Sequence, residues 1–382
     1  MRYRTVLNFT IILVIVMSGL VATAQDSPQA FPPEVITEIQ AEMNDLTESG
    51  FPPGMVVWID APEYQFAGAS GAADLMGDMP MTPEGAFRIG SITKMFTATV
   101  IIQLAEDGIL TLDDPLAQWL PDVAEQLPHG DEITLRHLLT HTSGIFSLVE
   151  HENYYADLFT EATIDETSGI VTLDCIQRDP NDTLARYVYD KDAYFEPDEG
   201  WYYSNTNYTL LGMVIEEAAD MPLAEAYQTH IYEPLGMEST FLDCYEDALA
   251  DVVHGYTGAG DTMADITELH ESIGWSAGGL VSTAPDLIAF ARGLFGGALF
   301  DDPESLAAMT TPAPGTSYGL GITFNERYMG HTGYIAGFRS VLSYAPEFDT
   351  VVVMLYNNDA ADPEQSLSDV LNPILPLLQV ED

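Results

Sequence analysis

The feature that most constrains the fold of this chain is a stretch of almost wholly apolar residues at positions 91–107. Its spacing is helical, and Gly108 is expected to end the helix. A helix that is apolar on every face is buried, because no side of it can face water. With 382 residues, 47% of them hydrophobic, the chain can build one large core or two smaller ones around such a helix.

Strand patterns lie near both ends of the chain, and helical patterns lie between them. Strands are predicted over 54–60, 64–70, 321–324, 338–344 and 350–356. Helices are predicted from residue 33 to Gly50, over much of 110–255, and over 366–378. This order indicates an α+β protein whose sheet is assembled from both ends of the chain around a mostly helical insertion.

The predicted unit runs from residue 31 to residue 382. Residues 31–100 and 256–382 would form the sheet subdomain, and residues 101–255 the helical one. A cleft is expected where the two meet.

Residues 1–24 have the pattern of a secretory signal peptide. Arg2 and Arg4 precede an apolar stretch at 11–21, and Ala22-Thr23-Ala24 forms a small-x-small cleavage site. We expect cleavage after Ala24 and a secreted or periplasmic protein without a stable membrane anchor. The alternative is an uncleaved N-terminal anchor, since the apolar stretch is close to the ~17-residue lower limit for a spanning helix.

The charge balance is strongly acidic, with 11 Lys and Arg against 60 Asp and Glu and a net charge of -49. Removal of Arg2 and Arg4 with the leader leaves 9 against 60, a net charge of -51. Such a surface repels nucleic acid, anionic lipid and anionic wall polymer, which excludes all three as electrostatically recruited partners. Self-repulsion would also destabilise the fold unless salt screened it, so a salty habitat is the natural hypothesis.

Ser91 and Lys94 are the first candidate catalytic pair. They lie three residues apart on the predicted buried helix, so their side chains share one face. Apolar surroundings lower the pKa of a lysine, which can then accept a proton from a neighbouring hydroxyl. The alternative is that Ser91 caps the helix and Lys94 reaches solvent.

Two further motifs carry polar groups suited to the same chemistry. In Tyr203-Ser204-Asn205, a phenol near an ammonium can shuttle protons and an amide can hold a substrate amide, although a packed aromatic with a capping Asn is the alternative. In His331-Thr332-Gly333, the glycine would let a substrate backbone lie against the strand, and the threonine would bind a carboxylate.

With these motifs the chain resembles the superfamily of serine D-alanyl-D-alanine carboxypeptidases, class C β-lactamases and related esterases. Its motifs Ser-x-x-Lys, Tyr-x-Asn and Lys/His-Thr-Gly occur here in that order, from Ser91, Tyr203 and His331. Flanking segments that also look familial are 87–90, 112–115, 137–144, 234–237, 277–280 and 318–321. The resemblance covers the chain from about residue 35 to its end, and it implies an antiparallel sheet flanked by helices.

The resemblance also implies the roles of the site residues. Ser91 would form an acyl-enzyme, with Lys94 as its base or as the charge that tunes Tyr203. Tyr203 would protonate the leaving group and activate water, and Asn205 would orient the substrate amide. His331, Thr332 and Gly333 would bind substrate, and the backbone N–H groups of Ser91 and Tyr334 would form the oxyanion hole. No cofactor or metal is implied.

The implied function is hydrolysis of a peptide, ester or amide bond in a small-molecule or peptide substrate, with a D-alanyl-D-alanine carboxypeptidase-like reaction favoured. An esterase or β-lactamase of the same fold is the alternative, and a non-catalytic penicillin-binding type of protein is an alternative of another class. His331 replaces the lysine usual in class C β-lactamases, and Tyr334 would crowd a carboxylate pocket. The oligomeric state stays open.

Cys175 and Cys244 are the only cysteines, and the sequence leaves open whether they form a disulfide. His137 and His141 have the spacing of a metal pair, but Leu138 stands where a zinc protease requires glutamate. Both histidines are therefore interpreted as structural.

Overall fold

The computed structural model describes residues 28–48, 50, 52–164, 170–325, 327–363, 367, 372 and 374–378. The predicted leader, residues 1–24, lies outside them. So does most of the terminal helix predicted over 366–378. No helix within the described ranges has the length and apolar character needed to cross a membrane.

Fifteen strands are described. In chain order they are β1 (Gln29–Ala30), β2 (Gly54–Asp60), β3 (Tyr64–Asp74), β4 (Met79–Pro80), β5 (Ala86–Arg88), β6 (Thr163–Ile164), β7 (Val171–Thr172), β8 (Phe241–Leu242), β9 (Tyr256–Thr257), β10 (Ala264–Asp265), β11 (Leu280–Thr283), β12 (Thr323–Phe324), β13 (Met329–Ile335), β14 (Phe338–Ala345) and β15 (Thr350–Tyr356).

The helices of the described residues are mostly short. They are α1 (Pro33–Glu48), α2 (Thr93–Glu106), α3 (Leu116–Trp119), α4 (Pro121–Ala124), α5 (Leu135–Thr140), α6 (Tyr154–Glu161), α7 (Pro180–Tyr187), α8 (Asn205–Ala219), α9 (Leu223–Tyr227), α10 (Glu233–Leu235), α11 (Trp275–Gly278), α12 (Ala284–Phe295), α13 (Pro303–Met309) and α14 (Leu375–Leu378).

The main sheet has the strand order β1-β3-β2-β15-β14-β13-β12, with β4 attached to β3. Its pairs are antiparallel except β1–β3. The register of the central pair joins Asp60 to Val351 and Met55 to Tyr356, so the two ends of the chain meet in mid-sheet. This confirms the predicted α+β class and a sheet assembled from both ends of the chain.

Alternating side chains of the sheet enter two apolar clusters. Val57, Val341 and Met354 pack with α1 residues such as Ile39 on one face. Val56, Leu342 and Val353 enter a larger cluster that contains the residues of α2 and α8. The sheet therefore lies between two helical layers.

Helix α2 is buried on nearly all sides, as its sequence predicts, with residues 93–102 and Leu104 buried. The α-helix begins at Thr93 rather than at Ser91, because residues Gly90–Ile92 form a 3₁₀ turn. Gly90 adopts a φ of +52°, in the left-handed region that glycine tolerates best. Ser91 therefore lies on a tight turn between β5 and α2.

Three other predicted boundaries differ. Strand β3 continues to Asp74 rather than residue 70, because β2 and then β4 pair along its whole length. In the segment 321–324, only Thr323–Phe324 pair with β13. Helix α8 begins at Asn205, four residues before Thr209, where the helical pattern over 209–219 begins.

Candidate active site

Ser91, on the 3₁₀ turn before α2, faces Lys94, which lies in the first turn of α2. Lys94 Nζ lies 3.1 Å from Ser91 Oγ. Ser91 is half-buried, and Lys94 is fully buried. The alternative in which Lys94 reaches solvent is therefore wrong.

The Lys94 amine is held by two acceptors besides the serine. Nζ donates hydrogen bonds to Asn205 Oδ1 at 2.7 Å and to the Ala277 carbonyl at 2.6 Å. Burial holds the pKa of Lys94 well below its ordinary value. A neutral amine in these contacts donates both of its hydrogens and keeps one lone pair, which is aimed at the Ser91 hydroxyl.

Tyr203 lines the same cavity as Ser91. Its phenol is close enough to the Ser91 hydroxyl to interact with it, and Lys94 Nζ lies 4.9 Å from the centroid of its ring. Burial raises the pKa of Tyr203, and the interaction with Ser91 opposes this rise only in part. Before reaction the phenol is therefore protonated and able to donate.

Asn205 is the first residue of α8, and Ser204 is its N-cap. The Asn205 amide oxygen binds Lys94 rather than a helix backbone group. Its backbone N–H donates to Ser147 Oγ at 3.2 Å. The N-terminus of α8 thus holds the α2 residue Lys94 in place next to Ser91.

His331 lies on β13, and its side chain is buried. Nδ1 lies 2.6 Å from the Thr332 carbonyl, and Nε2 lies 3.0 Å from the Tyr318 hydroxyl. Since a carbonyl only accepts, Nδ1 carries the hydrogen and Nε2 accepts from Tyr318. Burial is the main cause that lowers the pKa of His331 to about 3.

Gly333 was expected to make room for a substrate backbone, and in the structure it makes room for neighbouring residues of the chain itself. A Cβ at this position would overlap the Ile89 carbonyl and the Ser340 hydroxyl rather than project into the cleft. The missing side chain lets β13 lie directly against the turn that carries Ser91. In the same contact, a Cβ on Gly90 would lie 2.8 Å from the Tyr334 nitrogen.

This contact brings the Tyr334 backbone next to Gly90, the residue before Ser91. The structure thereby brings together Ser91, Lys94, Tyr203, Asn205 and the Tyr334 backbone. Thr332 is exposed, and it borders a depression that contains Arg339 instead of lining the cavity at Ser91.

The cavity at Ser91 has a volume of about 190 Å³. Tyr203 and Asn205 line it, together with the aromatic side chains of Tyr154, Tyr155 and Tyr334. It is smaller than the ~300–1,000 Å³ of sites for drug-sized ligands, so it suits a small acyl group. A larger cavity of about 850 Å³, lined in part by Arg136 and Trp201, contains no residue of the three motifs.

Sequence reasoning missed two neighbours of this site. Tyr318 binds His331, and Glu271 lines the cavity. The Tyr318 segment was among the flanks that looked familial, but no pattern indicated its hydrogen bond. Glu271 has no recognisable motif.

His141 lies behind Tyr203, with ring centroids 4.4 Å apart. Its Nδ1 accepts hydrogen bonds from the Ser204 backbone N–H and the Asn207 side chain, at 3.2 and 3.1 Å. His137 instead contacts Asp198 at 3.1 Å. The two histidines thus serve separate contacts.

Cys175 and Cys244, whose pairing the sequence left open, form a disulfide. It joins the segment after β7 to the loop after β8. Asp243, next to Cys244, binds Arg88 at 2.8 Å, so the disulfide lies beside the strand that leads to Ser91.

Comparison with known proteins gives consistent matches. The sequence pattern of the family described as Beta-lactamase matches residues 39–371. The putative penicillin-binding protein PbpX of Bacillus subtilis (strain 168) is 29% identical over 342 residues, covering 88% of this chain and 78% of PbpX. A D-aminopeptidase of Gluconobacter oxydans (strain 621H) is 29% identical over 330 residues, covering 81% of this chain.

Some curated relatives are much longer than the region they share with this chain. The match spans 57% of that D-aminopeptidase and 43% of esterase EstB of Burkholderia gladioli. Among solved structures, a D-stereospecific amidohydrolase from Streptomyces sp. superposes with a TM-score of 0.76 at 28% identity. That match covers 89% of this chain and 98% of the other.

Proposed function

This chain belongs to the Beta-lactamase family and has the fold of its serine hydrolases, and from that premise we propose that it cleaves small substrates through an acyl-enzyme on Ser91. One observation carries the proposal. The buried Lys94 amine lies 3.1 Å from the Ser91 hydroxyl, with its other hydrogen-bonding directions occupied by Asn205 and Ala277. A catalytically idle binding protein has no need of a buried, neutralised lysine in that position.

Acylation begins with transfer of the Ser91 proton to neutral Lys94, while Oγ bonds to the substrate carbonyl carbon. The carbonyl oxygen becomes an oxyanion, which the backbone N–H groups of Ser91 and Tyr334 would stabilise. As the intermediate collapses, the leaving group takes the proton of the Tyr203 phenol. Lys94 is then an ammonium beside a Tyr203 phenolate, so the two charges stabilise each other.

Deacylation uses the same two groups in reverse. The Tyr203 phenolate removes a proton from water as the water oxygen attacks the acyl carbon. When the second intermediate collapses, Ser91 leaves and recovers its proton from Lys94. Both side chains return to their neutral forms, so no external acid or base is consumed.

The pKa values of Lys94 and Tyr203 are shifted in opposite directions, which favours Lys94 as the base that deprotonates Ser91. Burial lowers the pKa of Lys94 and raises that of Tyr203. Before substrate binds, the amine is therefore the better acceptor and the phenol the better donor.

The finer reaction expected from the sequence is a D-alanyl-D-alanine carboxypeptidase-like one. It requires binding of a terminal carboxylate, usually by a cation. Among the described residues, no lysine, arginine or histidine lines the cavity at Ser91, and Glu271 is its one charged group. Hydrolysis of amide or ester bonds without an adjacent carboxylate is therefore the better-supported form, and relatives described as a D-aminopeptidase and an esterase agree with it.

The proposal is tested by treating the purified chain with p-nitrophenyl acetate, an ester without a carboxylate. We expect hydrolysis of the ester and a mass increase on the peptide that contains Ser91. Ser91→Ala should keep its fold, as judged by circular dichroism, and lose both. A folded Ser91→Ala variant that retained most of the esterase activity would refute the acyl-enzyme.

We also propose that the chain is exported, on the basis of the leader pattern in residues 1–24. Expression in a bacterium and N-terminal sequencing of the product tests this. We expect a chain that begins at Gln25 in the extracytoplasmic fraction, and an intact Met1 on a membrane-bound product would favour the anchor instead.

A further inference from the structure

The cavity at Ser91 contains one acidic side chain that acyl transfer does not use, Glu271. Burial raises the pKa of its carboxyl, and a bound ammonium would favour the charged form. Glu271 precedes the turn Ser272–Gly274, and it lines the cavity together with Ser91. Its Oε1 accepts a hydrogen bond from the Ala336 backbone N–H at 3.0 Å. Among the described residues, its carboxylate forms no ion pair, and the nearby Arg88 is already paired with Asp243 at 2.8 Å.

Three tyrosines surround this carboxylate. Tyr154, Tyr155 and Tyr334 line the same cavity. Burial is the main cause of their raised pKa values, and the negative charge of Glu271 contributes to each. A carboxylate in a cavity lined by aromatic side chains is suited to an ammonium, which forms an ion pair with the acid and favourable contacts with aromatic rings. Of the three tyrosines, Tyr334 already holds the Arg339 guanidinium 4.2 Å from its ring centroid.

The anchor of Glu271 also indicates where such an ammonium would lie. Ala336, which binds Oε1, is two residues after Tyr334, whose backbone N–H is the proposed oxyanion donor. The acid is therefore held beside the strand end that would bind the substrate carbonyl. An amino group on the carbon next to that carbonyl would therefore lie near the Glu271 carboxylate.

We propose that Glu271 binds the free amino group on the acyl part of the substrate, and that this chain hydrolyses small amides and esters of amino acids. The inference rests on the proposed function, because it assigns a ligand to the cavity in which Ser91 acts. The net charge of -49 favours it further, since a strongly negative surface attracts cations and repels anions.

The test compares alanine p-nitroanilide, in its D and L forms, with the N-acetylated counterparts. For the full chain we expect a higher kcat/KM for at least one free-amine enantiomer than for its acetylated form. Glu271→Gln keeps an acceptor for Ala336 but removes the charge. It should lower the ratio of the two kcat/KM values by about 10- to 100-fold, as expected for the loss of a charge-assisted bond.

Glu268→Gln is the matched control, because Glu268 is an exposed acid three residues away and does not line the cavity. It should leave the ratio at the wild-type value. The inference is overturned if wild type shows no preference for the free amine, or if Glu271→Gln leaves the ratio unchanged.

A separate readout distinguishes failure of the inference from failure of the proposed function. Mass spectrometry after p-nitrophenyl acetate treatment reports acylation of Ser91 without any amino group in the substrate. Acylation without a free-amine preference leaves the proposed function standing and removes only the role of Glu271. No acylation by any of these substrates removes both.

Discussion

At the scale of single residues, burial shifts the pKa values of two site residues in opposite directions, down for Lys94 and up for Tyr203. Burial disfavours charge, so it makes a lysine a weaker base and a tyrosine a weaker acid. Lys94 and Tyr203 are both removed from water within a few ångströms of Ser91. The same desolvation thus prepares a proton acceptor and a proton donor for one serine.

Tyr203→Phe tests the proton-donor role. The ring and its contact with His141 remain, and only the hydroxyl near Ser91 is lost. We expect kcat to fall by about 10²- to 10⁴-fold, the usual contribution of a positioned acid or base. Stopped-flow hydrolysis of p-nitrophenyl acetate measures it, with Tyr202→Phe, at a tyrosine that does not line the cavity, as the control. Wild-type kcat in Tyr203→Phe would assign the proton to another group.

His331 should make stability depend on pH. Its pKa falls from 6.5 to about 3 on folding, so between these values the unfolded chain binds a proton that the folded chain does not. The stabilising contribution is present above pH 6.5 and is lost as the pH falls towards 3, by roughly 3 kcal/mol at pH 4.

Urea unfolding of wild type and His331→Gln at pH 7 and pH 4 measures this contribution. We expect wild type to lose more stability than the variant between the two pH values, because the variant lacks the titrating ring. Equal losses in the two proteins would mean that His331 is protonated in the folded state.

The sequence identified residues with distinctive surroundings and missed those without them. Lys94 stood out because it is one of two lysines and interrupts an apolar helix. Glu271 did not, because it is one of 60 acids and its cavity is completed by residues from distant parts of the chain. The use of Gly333 was also beyond sequence reasoning, since only the packing of β13 on Ile89 and Ser340 reveals it.

At the scale of helices and strands, predictions succeeded where the local pattern matched the tertiary environment. Strands 54–60 and 350–356 were predicted with their observed bounds, since both are continuous apolar runs in the middle of the sheet. The start of α2 was not, because a helical pattern does not distinguish a 3₁₀ turn from an α-helix. That turn depends on the close approach of β13 to Gly90.

The disulfide is an element-scale constraint whose removal should be measurable. Cys175 and Cys244 are 69 residues apart, so their bond closes a long loop and restricts the conformations of the unfolded chain. We expect its loss to lower the free energy of unfolding by about 2–5 kcal/mol. Reduction with dithiothreitol during thermal unfolding measures this, because Cys175 is exposed to the reagent.

The double variant Cys175→Ser/Cys244→Ser is the control for that experiment. Its melting temperature should be low and should not respond to dithiothreitol. A wild-type protein that melts at the same temperature with and without the reductant would mean that the bond contributes little to stability.

At the scale of the whole molecule, the excess of acids dominates the electrostatics. Six of the basic side chains in the described ranges already form ion pairs with acids, namely Arg88, Arg136, Arg178, Arg186, Lys191 and Arg292. With 60 acids in the chain, most carboxylates have no basic partner. We expect the total repulsion among these carboxylates to exceed the stabilisation from the ion pairs, because each exposed pair contributes only ~0–1 kcal/mol.

Salt should therefore stabilise this protein. The Debye length falls from about 10 Å at 0.1 M to about 3 Å at 1 M, which screens the repulsion between neighbouring carboxylates. We expect the melting temperature to rise between low salt and molar sodium chloride. Chloride is the suitable salt, because sulfate stabilises proteins generally through exclusion from their surface.

Potassium chloride at the same concentrations controls for specific binding of sodium, and it should give the same rise. A melting temperature that is flat or falls with sodium chloride would show that the acids are spread widely enough to be neutral in effect. The hypothesis of a salty habitat would then lose its support.

The pairing of β2 with β15 means that the main sheet cannot form completely until nearly the whole chain has been synthesised. Asp60 pairs with Val351, and at about 5–20 residues per second a ribosome needs roughly 15–60 s to make the chain between them. Throughout that interval one edge of β2 has no partner strand, and an unpaired edge readily joins other chains. The turn that carries Ser91 likewise waits for β13. A ribosome that stops before residue 350 therefore releases an incomplete sheet with an exposed edge, and never a smaller working enzyme.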